Sequence, residues 1–168
     1  ILNFFKIMRK DVFERHIKNH KAHRWFQARK YIIYSILNRN LKKKIRINSI
    51  SIIFPFYNEE SRLNQCFKDI NAFNKNNKKK DKEYIFVDDG SNDNSLKLVK
   101  HFINKQNNKK VKYKLISIKK NTGKGFALKK GVCAAKKKWI LTLDTDISVS
   151  LSQINIWIKK NYINNKKK

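Results

Sequence analysis

Tyr84-Ile85-Phe86-Val87-Asp88-Asp89-Gly90-Ser91-Asn92-Asp93-Asn94-Ser95-Leu96-Lys97-Leu98-Val99-Lys100-His101-Phe102-Ile103 reads as one strand, one turn and one helix in succession. Tyr84 to Val87 are aromatic or β-branched, the residue types that suit a pleated, buried surface. Two carboxylates end that run, Gly90 allows a sharp turn, and Ser91, Asn92 and Asp93 supply the side chains that cap a helix N-terminus. The spacing then predicts a helix from Asn92 to Ile103.

The same alternation extends in both directions. Upstream, Ser49 to Phe56 is an apolar, β-branched strand ended by Pro55, and Glu59 to Phe73 is a helix with Leu63, Phe67 and Ile70 on one face. Downstream, Lys112 to Ile118 predicts a third strand, Lys124 to Lys136 a third helix and Trp139 to Leu143 a fourth strand ending at Asp144. Leu151 to Tyr162 predicts a last helix, with Ile154, Trp157 and Ile158 on one face. Strands alternating with helices of this length require right-handed crossovers, so the fold class is α/β with a mostly parallel sheet covered by helices. Ligands of such sheets bind beyond the carboxyl ends of the strands, where this chain carries 55–59, 88–93, 121–125 and 144–146.

From Arg9 to Asn38, apolar residues recur at helical spacing among Lys, Arg and His, which predicts one or two basic amphipathic helices and then a charged linker. The expected organisation is therefore a helical appendage over 1–47 and an α/β domain over 48–168. The chain holds 41 Lys+Arg against 12 Asp+Glu, a formal net charge of +29. That balance points to polyanionic partners, but lysine is also over-used on featureless stretches such as Asn74 to Lys82, so composition accounts for part of it. Cys66 and Cys133 lack metal-ligand or disulfide-framework spacing, which predicts a reducing, cytoplasmic setting. No apolar run reaches the roughly 18 to 20 residues of a spanning helix, so the expectation is a soluble chain or one lying on the cytoplasmic face of a membrane.

Two adjacent carboxylates, Asp88 and Asp89, repel each other unless something uses their charge, which favours a ligand role over a plain turn. Asp144-Thr145-Asp146 follows an apolar strand, and alternation sends its two carboxylates to the same side. Oxygen-only ligands of this kind favour Mg²⁺ or Mn²⁺ over zinc. Asn121-Thr122-Gly123-Lys124-Gly125 opens a helix, where free N–H groups, the positive dipole end and an ammonium would attract a diphosphate.

In their order and spacing, Pro55-Phe56-Tyr57-Asn58-Glu59, the Asp88 to Asp93 run, the Asn121 to Gly125 run and Asp144-Thr145-Asp146 resemble family 2 glycosyltransferases of the GT-A fold. Asn121 to Gly125 together with Ala127 look most like the polyprenyl-phosphate glucosyltransferases. The resemblance covers Ile50 to about Ile158. It implies that Pro55 and Tyr57 line a base pocket, that Glu59 lies near the nucleotide, and that Asp89 with Asp88 beside it contacts the uracil or ribose. It further implies Lys124 near the diphosphate, and Asp144 and Asp146 as the catalytic pair that holds the metal and the sugar-nucleotide. The implied reaction transfers a sugar, with inversion, from a nucleotide-sugar donor, UDP-glucose favoured, to a lipid-phosphate or glycan acceptor, a step of cell-envelope glycan biosynthesis. Lys and Arg beside Trp25, Phe26 and Tyr31 in the basic N-terminal segment would favour an anionic membrane surface as a further partner. Thr145, and Ile147-Ser148 where the glucosyltransferases tend to have alanine and then glycine, depart from the pattern and bear on the donor. The acceptor half expected after the Asp144 region is missing, so the alternative is a nucleotide-sugar-binding fragment without turnover. A basic nucleic-acid-binding module is the weaker alternative, because carboxylates at three strand ends would repel phosphates there.

Overall fold

The computed structural model describes residues 6–9, 48–107, 110–146 and 150–159. Four parallel strands form the body of the sheet: β2 (Ser49–Phe56), β3 (Asp81–Asp88), β4 (Val111–Ser117) and β5 (Trp139–Thr142). Helices α1 (Glu60–Asn76), α2 (Ser95–Asn104) and α3 (Lys124–Ala134) make the crossovers, and α4 (Gln153–Lys159) follows β5. A short strand, β1 (Lys6–Arg9), lies antiparallel on β5 with Lys6 opposite Thr142 and Arg9 opposite Trp139, giving the order β1-β5-β2-β3-β4.

All four predicted parallel strands and all three crossover helices are present. β1 falls within the segment read as a helical appendage and was not anticipated, while the helices expected between Arg9 and Asn38 lie, beyond Arg9 itself, outside the described residues. The Trp157 and Ile158 side chains and Tyr162 also lie outside them; Ile154 is buried as expected. Among the described residues no helix is long and apolar enough to cross a membrane.

The pleat sorts the core into two layers. Ile50, Ile52, Phe54 and Phe56 of β2, with Tyr84 and Phe86 of β3, face α1, α2 and α4 in an aromatic-rich layer. There Phe54 stacks on Phe86 with centroids 5.3 Å apart, and Phe67 of α1 stacks on Phe102 of α2 at 4.1 Å. The alternate residues Ile53, Ile85 and Val87 face α3, which meets them with Ala127, Leu128 and Val132. Small residues bring α3 close: a Cβ on Gly131 would stand 2.5 Å from Ile53 Cγ2.

Candidate functional site

The first two strand ends are joined loop to loop. Asn58 adopts φ +52°, a left-handed turn that asparagine tolerates better than most residues. Its N–H donates to Ser91 Oγ at 3.0 Å, while the Asn92 N–H donates to Asn58 Oδ1 at 2.9 Å. Next along the chain, the Glu59 N–H donates to Ser95 Oγ at 2.8 Å and the Glu60 N–H to Asp93 Oδ2 at 3.2 Å. The Asn94 N–H and Nδ2 return the contact to the Glu60 carboxylate. Burial pushes the Asp93 carboxyl upward, but hydrogen bonds from Ser95 and from the Glu60 N–H outweigh it and hold the group below its ordinary value. Tyr57, 39% exposed, and Glu59 are thereby fixed at the lip of the sheet.

Asp88 and Asp89 sit side by side, and the fold engages each carboxylate separately. Asp88 accepts from the Ser91 N–H at 2.9 Å and from the Ser117 hydroxyl at 3.0 Å. Asp89 Oδ1 accepts from the Thr122 N–H at 3.0 Å and the Thr122 hydroxyl at 2.8 Å, and its Oδ2 accepts from the Gly123 N–H at 2.8 Å. Both carboxylates are almost fully buried. The expectation of free N–H groups in the 121–125 loop therefore needs correcting: those of Thr122 and Gly123 are taken by Asp89, because a buried carboxylate at the strand end needs donors more than solvent-facing amides need an anion. Gly90, at φ +78°, is required here, since a Cβ would lie 2.6 Å from the Lys120 carbonyl carbon.

Gly123 ends this loop and α3 begins at Lys124, whose ammonium lies 2.6 Å from Asp144 Oδ1. On the other side, Arg62 in the first turn of α1 pairs with Glu59 at 2.9 Å. The hydrogen bond and charge of Glu59 hold the Arg62 guanidinium above its ordinary value, and Asp146 adds to the effect. Basic side chains from two different helices thus attend the carboxylates around Asp144 and Asp146. Thr122 was read only as part of the 121–125 motif, without a role of its own, and Arg62 escaped the sequence reading; three residues after Glu59 at a helix start, it carries an i, i+3 charge pairing that could have found it.

These strand ends enclose a cavity of about 350 Å³. Pro55, Tyr57, Glu59, Asp89, Lys124, Asp144 and Asp146 all line it, so seven of the eight expected site residues meet in one place. Asp88 does not line it; its carboxylate is turned to Ser91 and Ser117. Phe56, Asn121, Gly123, Ala127 and Thr145 complete the wall. Among the described residues no group of three or more His, Cys, Asp or Glu could hold a metal ion unaided. A hard divalent cation nevertheless fits the donor set at Asp144 and Asp146, since Mg²⁺ is commonly held by one or two carboxylates with substrate phosphates and water completing its shell.

Comparison with known proteins gives this geometry a family. Residues 51–160 match the model of glycosyl transferase family 2. Over 110 residues the chain is 36% identical to a dolichyl-phosphate beta-glucosyltransferase of Dictyostelium discoideum, covering 63% of this chain and 33% of that protein. Over 104 residues it is 35% identical to an undecaprenyl-phosphate 4-deoxy-4-formamido-L-arabinose transferase of Proteus mirabilis, covering 61% and 30%. The chain spans about a third of the length of these relatives. Among solved structures, the mannosyltransferase PcManGT of Pyrobaculum calidifontis, in complex with GDP-Man and Mn²⁺, superposes with a TM-score of 0.54 at 18% identity, covering 69% of this chain and 33% of that one. S. aureus TarS residues 1–349 superpose at 0.52 with 23% identity, over 68% and 33%. These likenesses carry the fold, an α/β sheet of the GT-A type, and the family match carries the assignment: the chain belongs to glycosyl transferase family 2.

Proposed function

We propose that this chain forms the donor-binding part of a glycosyltransferase that moves a sugar, with inversion, from a nucleoside diphosphate to a polyprenyl phosphate, with UDP-glucose as the favoured donor. The observation that carries the reading is the meeting of all four strand-end motifs around one cavity of about 350 Å³. In this reading Pro55 and Tyr57 hold the base and Glu59 borders the nucleotide, held in place by Arg62. Asp89, with Asp88 behind it, shapes the base and ribose end by fixing the 121–123 loop. Asp144 and Asp146 hold Mg²⁺ or Mn²⁺, which when bound offsets the charge that develops on the leaving diphosphate. Lys124, at the N-terminus of α3, adds a second positive charge beside the same phosphates.

A lipid-phosphate acceptor is supported by two relatives whose names specify dolichyl- and undecaprenyl-phosphate. The chemistry agrees, because a phosphate nucleophile is already anionic and asks less of a general base than a sugar hydroxyl would. The reaction is tested by incubating the protein with labelled UDP-glucose, polyprenyl phosphate and Mn²⁺. Formation of a β-linked labelled lipid from the α-linked donor is expected; an α-linked product, or no labelled lipid from a donor-binding protein, contradicts the reading.

A further inference from the structure

We infer that the outer face of α3, together with the adjoining side of β4, is a docking surface for an anionic lipid bilayer. Acidic residues are absent from the whole stretch between Asp93 and Asp144, although fifteen lysines fall within it. A lysine-rich composition spread evenly would still scatter acids through those residues, so the segregation asks for its own cause.

The fold gathers part of this charge on one face. Phe126, Lys129, Lys130 and Cys133 follow the i, i+3, i+4, i+7 spacing along the side of α3 turned away from the sheet, and all four are exposed. Phe126 is a large apolar side chain left 39% exposed, with the Lys130 ammonium 5.3 Å from its ring centroid. α3 packs on β2 and β3, and on its side of the sheet β4 presents Lys112 and Lys114, both exposed, because Lys114 pairs with the α3-facing Ile85. Lys119 and Lys120, also exposed, continue the patch to the cavity wall at Asn121.

Lysines on an edge strand also guard against edge-to-edge pairing, which explains Lys112 and Lys114 by themselves. It does not explain the α3 lysines or the exposed aromatic ring among them. Basic side chains around a partly exposed aromatic suit an anionic interface, where the lysines meet lipid phosphates and the ring enters the headgroup boundary. The choice of a bilayer over another polyanion rests on the proposed lipid-phosphate acceptor, which must reach a cavity walled in part by Lys124 and Ala127 of α3 and by Asn121.

Cys133 provides a direct probe, since it is exposed on this face while Cys66 is buried and the chain has no other cysteine. The protein, labelled at Cys133 with a polarity-sensitive fluorophore, is mixed with vesicles of phosphatidylcholine alone or of equal parts phosphatidylcholine and phosphatidylglycerol. The emission is expected to shift to the blue only with the anionic vesicles and to return as salt is raised. In the Lys129→Glu/Lys130→Glu variant, partitioning onto anionic vesicles should fall about tenfold or more, with unchanged circular dichroism and unchanged UDP-sugar binding. If that variant misfolds, Lys129→Gln/Lys130→Gln should lower partitioning in the same direction. The proposal is overturned by co-sedimentation with vesicles while the Cys133 probe stays silent, by absence of vesicle binding, or by a probe that responds to single-stranded RNA in preference to vesicles. Because UDP-sugar binding is followed in the same samples, loss of the docking face and failure of the donor reading give different results.

Discussion

Asp89 accepts two hydrogen bonds from Thr122, one from its N–H at 3.0 Å and one from its hydroxyl at 2.8 Å, across 33 residues of sequence. This contact makes the end of β3 and the loop before α3 a single unit. Replacing Asp89 with Ala leaves both Thr122 donors without their acceptor and the Gly123 N–H with Asn121 Oδ1 alone, so the stability loss should be about 1–3 kcal/mol. Thr122→Val removes only the hydroxyl bond and should cost about 1 kcal/mol. Urea unfolding of the two variants checks the order; equal effects would mean that the backbone donors contribute nothing.

The Lys124–Asp144 pair behaves differently because both side chains are about half exposed. Lys124→Met should change stability by no more than about 1 kcal/mol, as surface ion pairs are screened. Its effect should appear in nucleotide-sugar affinity, reduced about tenfold through the lost charge beside the diphosphate. Thermal unfolding and donor titration on the same sample separate the two; a large drop in Tm with unchanged donor affinity would assign Lys124 to the scaffold.

Two glycines with positive φ should differ in their response to alanine. At Gly123, φ +93° and ψ 149°, a Cβ meets nothing within 4 Å, so Gly123→Ala should cost only the backbone strain of a glycine-only conformation, about 1–3 kcal/mol. At Gly90, φ +78°, the Cβ would lie 2.6 to 2.8 Å from backbone atoms of Lys120 and Asn121, so the loop must also move. Gly90→Ala should therefore be the more destabilising and should also loosen the 121–123 loop. Comparison of their denaturant midpoints decides it, and equal midpoints would show that the loop yields freely.

The Asp93 carboxyl is held below its ordinary value of 3.8 by its hydrogen bonds to Ser95 and the Glu60 N–H. A depressed folded value means that this group's contribution is fully present above its unfolded value and is lost as pH falls through the folded one. The joint between the 58–60 and 91–95 loops should therefore weaken only below about pH 4. Asp93→Asn lacks the charge at every pH, so its stability should fall less steeply on acidification below that point. Parallel acid titrations followed by circular dichroism test this; identical acid slopes would remove Asp93 from the account.

The strand-helix alternation was legible because β2, β5 and the Tyr84–Val87 part of β3 are nearly continuous apolar runs, while β4 alternates lysine with apolar residues as a half-exposed strand does. β3 begins at Asp81, three residues before the predicted start, because Asp81-Lys82-Glu83 reads as polar. The structure buries Lys82 and Glu83 by giving them partners no local pattern reveals. The Lys82 ammonium reaches the Asn77 carbonyl, and Glu83 accepts from the Ser51 hydroxyl at 2.7 Å and the Lys136 N–H at 2.9 Å. α2 starts at Ser95, not Asn92, because Asn92 and Asp93 are spent on the neighbouring loop. β1 has only four residues and its pairing is set by β5, about 130 residues away in sequence, so nothing local marked it. Motif order anticipated which residues border the cavity, seven of the eight candidates, whereas the engagement of Asp89 by Thr122 and Gly123 depended on two strand ends meeting.

The most direct test of the central claim is calorimetric titration of the protein with UDP-glucose and with GDP-mannose, with and without Mn²⁺, beside the Asp146→Ala variant. The account predicts Mn²⁺-dependent binding of UDP-glucose in preference to GDP-mannose, lost in the variant. Absence of binding by the folded protein, or donor binding that neither Mn²⁺ nor Asp146→Ala alters, would contradict it.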